Sequence, residues 1–467
     1  MRVATDKKVL VGCLLTFYAV LFVVRSLETL QVARAPRYDA QDYVTIALNV
    51  VHHGTFSISP ERPDKPPWPG MDRAPAYPLL LAVGILASPG LRSLDTSAYF
   101  KDESQASLRP LRWMQLMLVQ VTAFLAMWIA WELTRSLPLS FLTLGLVGLD
   151  SQLITISGAF LSENLACFLL TALSLCLLLT FRTLRLALFG LSGALLAALA
   201  LTRPAYAYLG PLLVALACAR WLRRPQERGQ LRAGILIFLV CFSVPVGAWM
   251  GRNVVRFQKA RIANGGGVVL DIRSRLNLMT ARQYEAAFLF YSQSWYLQEI
   301  LPDHFPENLN ETIAFLDESN PESAYRQAYA RSAALTMEHG SASADSLQKK
   351  EAIGRILEHP WRHVAVTVPV AVRGIYVHGI LFSALMFCSF LGGFLIVCWR
   401  RDAVAVAALL PSAFSFTFHA FLTQGLPRFS QPLIPILWVS VVLVLSRLDN
   451  HSADGSLAPG GGLLASS

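Results

Sequence analysis

Charged residues are scarce in this chain, and their scarcity decides its class. Only 15% of the 467 residues are charged, whereas 54% are hydrophobic and come in long blocks. This composition excludes a soluble protein with one large core and indicates an integral membrane protein. The net charge of +10 forms no extended basic patch, because Lys and Arg lie at the ends of the apolar blocks. We therefore expect membrane lipids as partners and no nucleic acid.

Other absences narrow the chemistry. The sequence has no ATP-binding motif, no histidine cluster and no internal repeat. Its seven cysteines lie inside apolar blocks and lack metal-ligand spacing, so we interpret them as packing residues. No small-residue cleavage site follows the apolar stretch that begins after Lys7 and Lys8, so we expect an uncleaved first helix.

The apolar blocks predict an all-α polytopic membrane protein with about 10 (10–13) transmembrane helices. The blocks cover roughly residues 9–25, 111–131, 139–157, 163–181, 186–201, 205–219, 233–251, 379–399, 403–422 and 431–447. Prolines interrupt a further segment at 76–90, and Arg373 lies inside another at 362–378. We expect both to be interfacial helices, with full spans as the alternative.

The distribution of Lys and Arg predicts the orientation. With the N-terminus in the cytoplasm, nearly all basic residues of the short connections lie inside, and only Arg203 and Arg428 lie in short outer turns. Two long segments, 26–110 and 253–362, then lie outside, and both termini are cytoplasmic. We divide the chain into a membrane module at 1–252, an outer, mainly helical segment at 253–362, the last membrane helices at 363–448, and a disordered tail at 449–467.

Acidic and basic side chains from distant parts of the sequence fall on this outer side. They are Asp39, Asp42, Asp72, Arg73, Glu163, Arg203, Arg252 and Arg428. Residues 38–53 have the apolar spacing of an amphipathic helix, which puts Asp39 and Asp42 on one face. Asp150 lies within an apolar block, where an ionisable group is a functional candidate.

Carboxylates and guanidinium groups at a membrane rim suit group transfer from a lipid phosphate. Guanidinium groups stabilise a departing phosphate, and a carboxylate can deprotonate the attacking hydroxyl. A second carboxylate could orient the acceptor or hold a divalent cation. A lipid-linked donor that is already activated would also explain the absence of an ATP motif.

At these residues the chain resembles the GT-C superfamily of integral membrane glycosyltransferases. It is most similar to the bacterial, glycosyltransferase family 39-like group related to protein O-mannosyltransferases and the lipid A aminoarabinose transferase. The motifs are Asp39-Ala40-Gln41-Asp42-Tyr43, Gly54-Thr55-Phe56-Ser57, Arg73-Ala74-Pro75-Ala76-Tyr77-Pro78, Ser162-Glu163, Arg203-Pro204, Trp249 with Arg252-Asn253, and Arg428-Phe429 with Pro432 and Pro435.

The resemblance implies a GT-C-like bundle, a polyprenyl-phosphate sugar donor and inversion at the anomeric carbon. It implies a first-loop aspartate as base, which is Asp39 or Asp42. The residues assigned to the donor phosphate or sugar are Arg73, Arg203, Arg252, Arg428 and Tyr77. Those assigned to the acceptor or a metal are Glu163, Asp72 and Asp150.

Several points stay open at the level of sequence. No cofactor is certain; a divalent metal ion, if used, would be held by Asp39, Asp42 and Glu163. The acceptor is a lipid, a glycan or a protein. No Glu stands shortly before Arg428, where many members have one, so the sequence predicts no local carboxylate partner for it.

The alternatives to a glycosyltransferase are a transporter or flippase of lipid-linked glycans and an oligosaccharide ligase or polymerase. A transporter should hold its polar residues near the bilayer midplane, and Asp150 is the residue that favours it. We expect a bacterial inner membrane protein whose site faces the periplasm.

Overall fold

A computed structural model describes residues 12, 16, 18–27, 38–59, 65–94, 108–292, 295–305 and 309–455. In these residues the chain forms helices joined by short connections, which confirms the predicted all-α class. Eight helices are long and apolar enough to cross a membrane. The chain is therefore an all-α polytopic membrane protein.

The segments predicted to lie outside, 26–110 and 253–362, are called the first and second outer segments. The described residues of the first form three short helices after α1 (Tyr18–Leu27). They are α2 (Asp39–His53), α3 (Ala76–Ala87) and α4 (Pro89–Arg92). Helix α2 is amphipathic, as predicted, and ends at Gly54, whose φ of 61° suits a glycine. With 12 residues, α3 is too short to cross a bilayer by itself.

Six helices build the first membrane module. They are α5 (Arg109–Thr134), α6 (Leu137–Gly148), α7 (Ser151–Gly158), α8 (Glu163–Thr183), α9 (Leu186–Thr202) and α10 (Leu209–Arg223). The predicted helix over 139–157 is broken at Leu149 and Asp150, because the Asp150 carboxylate caps the start of α7. The predicted span at 186–201 is a 17-residue helix, shorter than the eight candidate spans.

Helix α11 (Arg228–Phe257) leads into the second outer segment. The segment contains α12 (Gly266–Arg275), α13 (Ala281–Phe290), α14 (Trp295–His304), α15 (Leu309–Ala314), α16 (Ala324–His339) and α17 (Ser341–Glu358). The fully buried carboxylate of Asp271 pairs with Arg275 at 3.1 Å and with Arg355, which ties α12 to α17. The segment is mainly helical, as predicted.

The chain returns through five more helices. They are α18 (Pro360–Ile375), α19 (Ile380–Trp399), α20 (Ala403–Leu422), α21 (Pro427–Ser430) and α22 (Ile434–Gly455). Helix α18 has 16 residues and is not among the candidate spans, and its interfacial position stays a prediction. Helix α22 continues past Asp449, where we expected the tail to begin, and residues 456–467 lie outside the described residues.

Helix α8 is the most buried of the eight candidate spans and positions the site. It packs against α5, α9 and α20. Its first turn carries Glu163, the end of α9 precedes Arg203, and α21 carries Arg428. These three residues meet at one end of the bundle, beneath α2.

Candidate active site

Two carboxylates of α2 share one guanidinium group. The spacing of Asp39 and Asp42 places both on one helix face, as predicted. Nη2 of Arg73 donates to Oδ1 of Asp39 at 2.7 Å and to Oδ2 of Asp42 at 2.7 Å, and its Nε donates to Asp42 at 3.0 Å. Arg73 thereby holds both acids in fixed positions.

Arg428 joins the same cluster from the far end of the sequence. Its Nη2 donates to Oδ2 of Asp39 at 2.9 Å, and its Nε lies 3.7 Å from Oε1 of Glu163. The sequence predicted no nearby carboxylate partner for Arg428; the fold supplies two from elsewhere in the chain. Asp39 therefore bridges Arg73 and Arg428, whereas Asp42 contacts Arg73 alone among the described residues.

Glu163 and Arg203 form the buried part of the cluster. Nη2 of Arg203 lies 3.7 Å from Oε1 of Glu163, the same oxygen that faces Arg428. This separation is beyond hydrogen-bond distance. Within the part of the chain that the structure describes, Nη1 of Arg203 and Nε of Arg428 are buried and donate no hydrogen bond. Two guanidinium groups thus retain unused donors around one carboxylate.

Exposure changes along the cluster. The side chains of Asp39, Asp42 and Arg428 are 26%, 31% and 40% exposed, whereas those of Arg203 and Glu163 are 12% and 3% exposed. The cluster therefore has one part that water reaches, at Asp39 and Asp42, and one buried part, at Glu163 and Arg203. Arg428 contacts both parts.

The neighbours of Asp39 control its protonation. Burial by itself raises the pKa of Asp39, but the charges and hydrogen bonds of Arg73 and Arg428 outweigh this effect and hold the pKa below its usual range. In the absence of substrate Asp39 is therefore ionised at neutral pH. Any change that draws a guanidinium group away from Asp39 makes it a stronger base.

Two aromatic residues of the site were not among the predicted site residues. The ring of Tyr43 lies 5.6 Å from the Arg73 guanidinium carbon, and its hydroxyl donates to Ser162 at 3.3 Å. Tyr43 follows Asp39 by four residues, so helical spacing could have placed it on the same face.

Phe429 is the second aromatic residue. Its ring centroid lies 5.1 Å from the guanidinium carbon of Arg203 and 5.4 Å from that of Arg428. The ring face is electron-rich, so it stabilises both cations. No pattern in the sequence predicts that one ring serves both arginines.

Two residues that the resemblance assigned to the sugar donor, Arg252 and Tyr77, do not belong to the ion-pair cluster. Arg252 donates to the carbonyl of Gly70 at 2.8 Å and stacks on Trp249 at 4.8 Å, so it anchors the stretch before Arg73. Tyr77 is 1% exposed and donates to Gln115 at 2.7 Å. The structure does not bring either side chain into contact with Asp39, and their donor roles stay predictions.

Two residues assigned to the acceptor also lie apart. Asp72 makes no ion pair among the described residues. Asp150 caps α7 and accepts from Trp438 at 3.0 Å, and its Oδ2 lies 2.9 Å from Nε2 of His378. These contacts explain Asp150 as a tie between helices of the bundle.

The residues predicted to hold a metal are already engaged with guanidinium groups. Asp39 and Asp42 share Arg73, and Glu163 faces two arginines. The described residues contain no group of three or more His, Cys, Asp or Glu side chains that could hold a metal ion. A metal ion at Asp39, Asp42 and Glu163 therefore stays a prediction.

Comparison with known proteins finds likeness in structure but none in sequence. No protein-family model matches the chain, and no curated protein matches it in sequence. Among solved structures it is similar to the archaeal oligosaccharyltransferase AglB from Archaeoglobus fulgidus in complex with an inhibitory peptide and a dolichol-phosphate. The TM-score is 0.48 and the identity 12%, over 96% of this chain and 53% of that one. The chain spans about half the length of that structure.

Proposed function

We propose that the chain is a membrane glycosyltransferase that moves a sugar from a polyprenyl-phosphate donor to an acceptor hydroxyl, with inversion. The observation that carries the proposal is the shared contact of Arg428. One guanidinium group donates to the ionised carboxylate of Asp39, and its Nε donates no hydrogen bond among the described residues. A base and an anion site are thus adjacent.

Arg203 and Arg428 are the best candidates to bind the donor phosphate. Both have an unused N–H group, whereas Nε and Nη2 of Arg73 are already bonded to Asp39 and Asp42. Phosphate oxygens accept strongly from guanidinium groups, and the pairing strengthens away from bulk water. We therefore assign Arg73 to holding the acids rather than to the phosphate.

The reaction follows from this arrangement. Asp39 takes the proton of the acceptor hydroxyl as the acceptor oxygen forms a bond to the anomeric carbon. The bond between that carbon and the phosphate oxygen breaks on the opposite face, and its electron pair leaves with the polyprenyl phosphate. A phosphate that draws Arg428 away from Asp39 also raises the pKa of Asp39, so donor binding strengthens the base.

The transporter alternative loses its main support. Asp150, the residue that favoured it, has partners within the bundle that account for its burial. Ligation or polymerisation of oligosaccharides uses related chemistry and stays an alternative.

Binding and turnover test the proposal separately. Citronellyl phosphate, a short isoprenyl phosphate, should raise the unfolding temperature of the purified protein, and Arg203→Gln and Arg428→Gln should each abolish that rise. Arg223→Gln is the matched control, because Arg223 is exposed and is not one of the arginines that face Asp39, Asp42 or Glu163.

Turnover is measured in proteoliposomes that contain labelled polyprenyl-phosphate sugars and a cell-envelope fraction as the source of acceptors. We expect release of free polyprenyl phosphate together with transfer of the label to an acceptor. Equal effects of citronellyl phosphate on all four proteins, or absence of release with every sugar, would overturn the proposal.

A further inference from the structure

The second outer segment is linked to residues 424 and 425, which shortly precede Arg428. Arg373 of α18 connects the two: its Nη2 donates to Oε1 of Glu318 at 2.8 Å, and its Nη1 donates to the carbonyl of Gln424 at 3.3 Å. Gly425 packs so closely on α18 that a Cβ there would lie 2.3 Å from the carbonyl oxygen of Val370. Arg373 therefore links Glu318 to the stretch that precedes Arg428.

An aromatic pair follows Glu318 in the chain. Tyr325 and Tyr329 lie one turn apart near the start of α16, and their ring centroids are 4.7 Å apart with planes tilted by 39°. Nε of Arg326, the residue after Tyr325, donates to the backbone carbonyl of Glu318 at 3.1 Å and so holds the start of α16 beside Glu318. Tyr329 is 47% exposed. The proposed reaction uses none of these three side chains, so their place beside the site needs another explanation.

The combination of groups suits a sugar ring. A pyranose has C–H groups that pack on an aromatic face and hydroxyl groups that donate to a carboxylate. In a polyprenyl-phosphate sugar the ring is attached directly to the phosphate. If Arg428 holds that phosphate, the group beside it is the donor sugar, and Tyr325 and Glu318 are the side chains that the second outer segment supplies there.

We propose that Tyr325 and Tyr329 form the stacking surface for the sugar ring of the lipid-linked donor and that Glu318 accepts a hydrogen bond from one of its hydroxyl groups. This inference rests on the proposed function, because it takes Arg428 as the phosphate ligand. Oε1 of Glu318 accepts from Arg373, so the sugar hydroxyl would donate to the other carboxylate oxygen. When a uronic acid binds beside Glu318, the Arg373 guanidinium offsets only one of the two negative charges, so the site favours an uncharged, hydroxylated sugar.

The test compares two kinds of probe on the purified full-length protein. One is citronellyl phosphate, and the other is a panel of its esters with glucose, galactose, mannose and glucuronic acid. For the wild type we expect at least one neutral sugar ester to bind about five- to tenfold more tightly than citronellyl phosphate, and the glucuronate ester to bind no more tightly. Tyr325→Ala and Tyr329→Ala should each remove most of this preference, whereas their affinity for citronellyl phosphate stays unchanged.

Two further variants separate recognition from folding. Tyr325→Phe keeps the ring and should keep the preference, and Met337→Ala, an exposed position on the same helix, should behave as the wild type. A wild type that binds citronellyl phosphate but prefers no sugar ester, or alanine variants that keep the full preference, would overturn the inference and leave the proposed function standing. A wild type that does not bind citronellyl phosphate would instead overturn the proposed function.

Discussion

Replacement of Asp39 by asparagine tests the central assignment of the site. The substitution keeps the shape of the side chain but removes the charge that faces Arg73 at 2.7 Å and Arg428 at 2.9 Å. The amide retains one acceptor oxygen, so one of the two hydrogen bonds persists in a weaker, neutral form. Because the Asp39 side chain is 26% exposed, the free energy of unfolding should fall by only about 1–2 kcal/mol.

The expected loss of activity is much larger than this. A positioned general base contributes about 10²–10⁴-fold to a rate, which corresponds to about 3–5 kcal/mol of activation free energy. Asp39→Asn should therefore lower the rate of polyprenyl phosphate release in proteoliposomes by at least about 100-fold. The unfolding temperature of the same preparation, measured in detergent, should fall by only a few degrees.

Asp42 supplies the comparison. It lies three residues away on the same helix face, yet among the described residues its carboxylate pairs with Arg73 and not with Arg428. Asp42→Asn should therefore disturb the position of Arg73 and lower the rate by about tenfold or less. Asp303→Asn, at an exposed position of the second outer segment, is the control for removal of an acidic charge. Turnover of Asp39→Asn close to that of the wild type, or a greater loss in Asp42→Asn, would refute the assignment.

Three further predictions concern the surroundings of the site. Phe429→Leu removes the ring shared by two guanidinium groups and should weaken binding of citronellyl phosphate by about two- to fivefold, with little change in the unfolding temperature; an unchanged affinity would contradict this. Burial, together with the charge of Arg273, lowers the pKa of His363 from 6.5 to about 4. Between about pH 4 and pH 6.5 the unfolded chain binds a proton at His363 and the folded chain does not. The free energy of unfolding should therefore fall as the pH drops through this range. In His363→Gln the contribution of His363 to this fall should disappear. Asp150→Ala should lower the unfolding temperature through loss of the α7 cap and the Trp438 bond while citronellyl phosphate binds as before; loss of that binding would return Asp150 to the site.

The helices could be predicted from the sequence because their cause is local. Apolar blocks of sufficient length form membrane helices, and the asymmetry of Lys and Arg orients them. The first outer helix followed from the spacing of its apolar residues. The helix break at Asp150 was missed because a carboxylate inside an apolar block is as typical of a buried functional group as it is of a helix cap.

The contacts within the site could be predicted only in part. Helical spacing placed Asp39 beside Asp42 and, by the same logic, could have added Tyr43. The pair of Arg428 and Asp39 joins residues 389 positions apart, so it depends on how several helices pack rather than on any local pattern. For the same reason no sequence argument could separate Arg203, with its unused donor, from Arg252, which holds a backbone carbonyl.

The charge balance of the cluster explains why one arginine has to contact both the base and the anion site. Three carboxylates face three guanidinium groups, namely Asp39, Asp42 and Glu163 against Arg73, Arg203 and Arg428. In the proposed reaction a phosphodiester with one negative charge becomes a phosphomonoester with two, while Asp39 gains a proton and loses its charge. The total charge in the cluster stays constant and only its position changes. Since Arg428 contacts Asp39 and, in the proposal, also the phosphate, it can follow the charge from one to the other while Arg73 stays with Asp39 and Asp42.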